Sequence, residues 1–288
     1  MKFSKSILPI AAFAAVGACM AFATPAAHAS LIGDYQAVNY NPTTGVWTDS
    51  SGNGNNATFT ANATNTPTSI STANPTLVTS GAGATPNGSE TVALAGNGSF
   101  NLTNPIAPGP YSVFVYFNPT NNGAIVGGNN ANTPPAFEYR LNAGKQDTLA
   151  QYTADFGSSN TAIPVNGSAF SSIGAQLTGA GTGSTVSYFL NGASDGTTAA
   201  TANAITSPLA YLFDTTNGAT NGGANDGPLA GNVAEIRIYN DTGVSAASVN
   251  SAFQTAYVTG SPTIPEPATL GLLGIGGMAL LKRRRKTA

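Results

Sequence analysis

Over 288 residues the chain carries ten basic and twelve acidic side chains, a formal charge of −2 that is spread unevenly along its length. Between Leu31 and Ile264 the basic residues are Arg140, Lys145 and Arg237, set against eleven acids for a net of −8; nucleic acid is a poor partner for such a segment, because phosphate neutralisation needs clustered Lys and Arg. His28 is the one histidine and Cys19 the one cysteine, so the chain beyond residue 29 has no disulfide, lacks the usual zinc and copper ligands and offers no base for Ser-His-Asp or Cys-His catalysis.

The chain opens with Lys2 and Lys5, an apolar run from Ile7 to Ala23, and Ala27-His28-Ala29 before Ser30. That order predicts a signal peptide over 1–29, an N-terminal signal helix cleaved after the small residues Ala27 and Ala29, and therefore an exported protein. Val16-Gly17-Ala18-Cys19 resembles a lipobox, in which Cys19 is lipidated and becomes the new N-terminus. The apolar run continues past Cys19, which favours the later site.

The following stretch, 30–260, has a length that suits one all-β domain. Near its start, Asp49, Ser51 and Asn53 stand at alternate positions, as the oxygen ligands of a calcium loop do, but the twelfth position is Thr60 where such loops place a bidentate glutamate. A tight hairpin turn accounts better for Gly52, Asn53 and Gly54, leaving calcium a weak candidate and no other cofactor implied. Trp47 and Tyr40, beside many asparagines, have the chemistry of a sugar platform; a lone Trp in a strand next to a turn is more often core packing.

Residues Asn62 to Gly88 read as irregular, with one strand near Thr76 to Val78. Tyr111 to Phe117, Phe137 to Leu141, Val186 to Leu190 and Val233 to Tyr239 are rich in β-branched and aromatic residues and read as strands. In the last, alternation predicts Ala234, Ile236 and Ile238 on one face, with Val233, Glu235, Arg237 and Tyr239 on the other. Asp214 to Asp226, with Asn217, Asn221 and Asn225, is a solvated loop or a second source of oxygen ligands. Val249, Phe253 and Tyr257 recur at four-residue steps and predict a packing helix over about Ser245 to Tyr257.

Several of these segments together resemble a family. Val46 to Ala57 looks like the first hairpin of laminin-G-like, concanavalin-like jelly rolls; Thr91 to Phe100, Tyr111 to Phe117, Tyr188-Phe-Leu-Asn-Gly192 and Gly231 to Asn240 follow in that family's order. The resemblance implies an all-β, two-sheet antiparallel sandwich with one short C-terminal helix, in a superfamily of lectins, glucanases and adhesion modules. Retaining glucanases of that fold carry paired carboxylates close together on one strand. Here Glu90, Glu138 and Glu235 each lack a second glutamate nearby, and Arg140 and Arg237 are too few for the three-arginine clamp of sialidase-like sites. The expectation is a non-enzymatic adhesion or carbohydrate-binding module whose partner is an exopolysaccharide or other glycan. A cryptic glycan hydrolase and a purely structural, glycosylated matrix protein are the alternatives.

The C-terminal tail, 261–288, has three parts. Pro265-Glu266-Pro267 should be extended, since each proline fixes its own φ and disfavours helix before it. Residues 267–281 then read as a membrane helix whose uncharged run from Ala268 is 14 residues, about 21 Å of helix against a hydrocarbon core of about 30 Å. Lys282-Arg283-Arg284-Arg285-Lys286, the basic cluster 282–286, holds the end on the cytoplasmic side. In this order the parts resemble the PEP-CTERM sorting signal, which implies recognition and processing by an exosortase, a membrane-embedded protease or transpeptidase. The resemblance implies a protein of the envelope, outer surface or matrix of a Gram-negative-type bacterium, held in the inner membrane until it is processed.

Overall fold

The structure, a computed structural model, describes residues 30–61, 73–128, 137–142, 147–151, 154–197, 204–213 and 228–260. The signal segment, the sorting tail, Lys145 and the Asp214 to Asp226 loop lie outside them.

Numbered in chain order, the strands divide between two antiparallel sheets. The first holds β1 (Leu31–Gln36), β5 (Thr76–Val78), β6 (Thr91–Ala95), β8 (Tyr111–Pro119), β13 (Ser171–Leu177), β14 (Val186–Leu190), β15 (Ala193–Thr197) and β17 (Ala230–Tyr239). The second holds β2 (Tyr40–Asn41), β3 (Val46–Trp47), β4 (Ala57–Ala61), β7 (Gly98–Ile106), β9 (Gly123–Gly128), β10 (Phe137–Leu141), β11 (Asp147–Gln151), β12 (Ala154–Ser158) and β16 (Leu209–Leu212). The spatial order is β15-β14-β13-β8-β17-β6-β5 in the first and β12-β11-β10-β9-β16-β7-β4-β3-β2 in the second. β17 is long enough to hold two neighbours along one edge: Ala230 to Val233 pair with β6, and Glu235 to Tyr239 with β1.

Between the sheets lies an aromatic core. Trp47 is fully buried at its centre, 5.3 Å from the Phe100 ring and 6.0 Å from Phe213, and its Nε1 donates to the Gln36 carbonyl at 2.7 Å. Tyr35 and Tyr40 pack on the same indole. The packing reading of Trp47 therefore holds, and Tyr40 is buried with it, so neither side chain can serve as an exposed sugar platform.

A second apolar layer covers the outside of the first sheet. Helix α1 (Ala246–Gln254) begins where Ser245 Oγ accepts from the Ser248 N–H at 3.2 Å, and a π-type turn, Thr255–Thr259, continues it. Val249, Phe253 and Tyr257 are buried as their spacing predicts, against Phe114, Tyr116 and Ala234. β8 is consequently buried on both faces, with Val113, Val115 and Phe117 in the inter-sheet core and Phe114 and Tyr116 under the helix. Its continuous run of branched and aromatic residues is what such a position requires.

One predicted pattern is corrected by the structure. Val233 faces the inter-sheet core with Ile236 and Ile238, whereas Ala234 lies in the layer under the helix. The register of β17 on β8 shifts between Val233 and Glu235, so one extra residue enters the strand. A bulge of this kind turns neighbouring side chains to one side, and strict alternation fails across it.

Candidate functional site

The surface that could meet a ligand follows from the pairing of the second sheet. Val46 lies opposite Thr58, Thr58 opposite Asn101, Asn101 opposite Tyr211, Tyr211 opposite Gly127 and Gly127 opposite Glu138. Residues directly paired across strands share a face, and the neighbours Trp47, Ala57, Phe100, Leu102, Leu212, Val126 and Tyr139 all point into the core. The row from Val46 to Glu138 therefore crosses the outer face. Four strand spacings separate Thr58 from Glu138, about 19 Å.

Its chemistry is neutral along most of its length. Thr58, Thr60 and Thr103 are exposed, Ser99, Asn101 and Tyr211 half-buried. Ser99 Oγ donates to Asn101 Oδ1 at 3.0 Å, and Asn101 Nδ2 donates to Thr60 Oγ1 at 3.2 Å. These bonds hold the Asn101 amide in one orientation. At the far end Glu138, buried, and Arg140, half-buried, form an ion pair at 3.3 Å. The site is thus an amide-hydroxyl ladder with a tyrosine in its middle and one charge pair at its end. Sequence reading missed it because its members are scattered from Val46 to Tyr211 and the ladder exists only once the register is known.

Glu138 is on the outer face of the second sheet and Glu235 on that of the first, so the sandwich separates these two; Glu90 immediately precedes β6, its carboxyl pushed up by burial. Arg140 and Arg237 are divided in the same way, each paired with the glutamate two residues before it.

Under the helix Glu235 is 1% exposed and is held by Arg237 Nε and by the Tyr257 hydroxyl, which donates to Oε2 at 2.7 Å. The Arg237 guanidinium stands over the Phe253 ring at 5.0 Å from its centroid. Burial pushes the Glu235 carboxyl up to about 7; Arg237 opposes that shift, while Asp34, facing Arg237 from β1, reinforces it. Burial also raises the Tyr257 hydroxyl, with Glu235 adding to the effect.

Asp49, Ser51 and Asn53 are brought together in the turn after β3. Asp49 Oδ1 accepts from the N–H groups of Asp34 and Ser51, both at 2.9 Å, and Oδ2 from Ser51 Oγ at 2.8 Å and the Asn55 N–H at 3.0 Å. Asn53 Nδ2 donates to the Leu31 carbonyl and to Ser51 Oγ, both at 2.9 Å. The carboxylate thus organises a turn, and positive φ at Gly52 and Gly54 lets the backbone close around it. Among the described residues no three His, Cys, Asp or Glu side chains gather in one place.

No curated protein matches the chain. In fold it is similar to domain 4 of AbnA, an extracellular arabinanase from Geobacillus stearothermophilus solved in complex with arabinotriose, with TM-score 0.53 and 17% identity over 77% of this chain and 98% of that one. Weaker likenesses are to a Trypanosoma rangeli sialidase, TM-score 0.47 and 12% identity over 78% of this chain and 33% of that one, and to an α-L-arabinofuranosidase, TM-score 0.47 and 14% identity over 71% and 50%. Residues 263–286 match the PEP-CTERM protein-sorting motif, so the signal expected from Pro265-Glu266-Pro267 and the arginine cluster is found.

Proposed function

We propose that the protein is an exported, non-enzymatic glycan-binding or adhesion module, delivered to the outer surface or matrix through an exosortase, and that it binds carbohydrate on the outer face of its nine-stranded sheet. The observation that carries the reading is the row Thr58, Asn101 and Tyr211, where hydroxyl, amide and phenol stand in register with Ser99 and Thr60 beside them. Sugars present hydroxyls and CH faces together, and oriented amides with an aromatic ring answer both. Its likeness in fold to a domain solved with arabinotriose supports this reading, as does the resemblance of its sequence segments to laminin-G-like, concanavalin-like jelly rolls.

The tail supports the route. Pro265, Glu266 and Pro267 would present an extended recognition segment, and Lys282, Arg283, Arg284 and Arg285 would hold the far end in the cytoplasm until processing. Cleavage after Ala29 would leave Ser30 as the first residue of the mature chain.

Glycan-array binding of the mature domain, followed by titration against the producer's own exopolysaccharide, tests the proposal. Replacing Tyr211 or Asn101 with alanine should weaken binding about tenfold each, since each removes roughly 1–1.5 kcal/mol of hydrogen bonding or ring contact. Unchanged binding by both variants would move the site elsewhere, and absence of any glycan ligand would end the reading.

A further inference from the structure

The place where the sandwich hands over to its tail is built as a clasp. The turn Thr85 to Ser89 grips the end of the C-terminal helix: the Asn87 N–H donates to the Tyr257 carbonyl at 3.1 Å, and Asn87 Nδ2 donates to the carbonyls of Ala256 at 2.8 Å and Gly260 at 3.0 Å. Asn87 is oriented in turn by Thr85 Oγ1 and the Ser89 N–H, both donating to its Oδ1. Gly260 is therefore a fixed point of the folded domain.

Four residues, 261–264, separate that point from Pro265. Even fully extended, the chain from Gly260 to Pro265 reaches no more than about 18 Å, less than the width of a small domain. While its tail is engaged at the membrane, the sandwich must lie almost against the lipid, and the surface nearest is the clasp. In a segment of net charge −8, that surface is neutral: no charged residue occurs from Gly81 to Ser89 or from Thr242 to Pro265. Pro86, Gly88, Ser251, Thr255 and Thr259 are its exposed members. An acidic surface held this close to anionic headgroups would be repelled, and a neutral one is not.

We propose that the clasp, formed by the Thr85 to Ser89 turn and the exposed side of the helix end, is the face apposed to the anionic membrane surface while the tail is processed, and that its lack of charge is what permits the short connector. The inference rests on the sorting reading and not on glycan binding.

The test is the rate of tail removal, followed by pulse-chase in cells that carry an exosortase, for the full chain and for S251E/T255E and S251K/T255K, with thermal unfolding to confirm that both variants fold. The Glu pair should slow processing several-fold while the Lys pair does not. A Gly/Ser insertion of about ten residues after Gly260, adding a reach of about 18 Å, should restore the rate of the Glu pair. Equal rates for the Glu and Lys pairs, or failure of the insertion to restore the Glu pair, would overturn the proposal. Persistence of the unaltered chain at full length would overturn the sorting reading, and this inference with it.

Discussion

Both carboxylate oxygens of Asp49 accept hydrogen bonds, two each, from the strand β1 backbone and from the turn itself. Substituting asparagine keeps one acceptor and sets an NH2 group against the remaining donors. For a side chain 7% exposed that should cost about 2–3 kcal/mol, since hydrogen bonds to a charged group are each worth about 1.5–3 kcal/mol and a buried donor left unpaired is penalised. Asp49→Asn is expected to lower the denaturation midpoint clearly in urea with an unchanged slope. Asp49→Ser should do no better, because a hydroxyl cannot span the same donors. The same logic applies to Tyr257: removing its hydroxyl as Tyr257→Phe leaves Glu235 Oε2 without the donor at 2.7 Å, and a loss of about 1–3 kcal/mol should appear in the same measurement.

At the scale of elements, the C-terminal helix is held by a few large contacts. Phe253, fully buried, lies 5.8 Å from Tyr116 ring to ring and under the Arg237 guanidinium, so Phe253→Ala should destabilise by about 3–5 kcal/mol. Ser245→Ala, which removes the cap, should cost about 1 kcal/mol, and thermal unfolding would rank the two. This helix was legible in the sequence because Val249, Phe253 and Tyr257 keep one period and nothing interrupts it. The strand at Thr76–Val78 was legible for a similar reason, as an apolar island in polar surroundings. β9 and β13 were not: Gly-Ala-Ile-Val-Gly-Gly and Ser-Ser-Ile-Gly-Ala-Gln-Leu have too little bulk to show a pattern. Their small residues make sense only against neighbours. A Cβ on Gly174 would come within 2.2 Å of the Phe114 ring, so the glycine is the seat of an aromatic far earlier in the chain and directly opposite on the neighbouring strand β8. The bulge in β17 and the split of Thr91 to Phe100 between two sheets are likewise set by partners, and local propensity does not report partners.

For the molecule as a whole, the two outer faces of the sandwich have different fates. One carries the amide-hydroxyl ladder; the other is closed by the helix, and the closure places Glu235 where water cannot reach it. That burial has a thermodynamic consequence for the entire fold. The Glu235 carboxyl is held at about 7 in the folded protein against about 4.3 for an unfolded chain, so between those values the folded state binds a proton that the unfolded state has lost. A raised acid favours folding when protonated: its contribution is complete below about pH 4, declines as pH climbs toward 7, and changes no further above that. Over that window the group alone accounts for a loss of roughly 4 kcal/mol. Arg237 moderates the shift and Asp34, facing it from β1, sharpens it, while Tyr257 and Tyr239 stay protonated throughout. The folded protein should therefore be harder to unfold in urea at pH 5 than at pH 8. Glu235→Gln keeps an acceptor for Tyr257, cannot ionise, and should flatten the profile between those two pH values. Should Glu235→Gln instead retain the full difference, the proton is bound elsewhere, and the carboxyl under the helix is ionised in the folded protein at neutral pH.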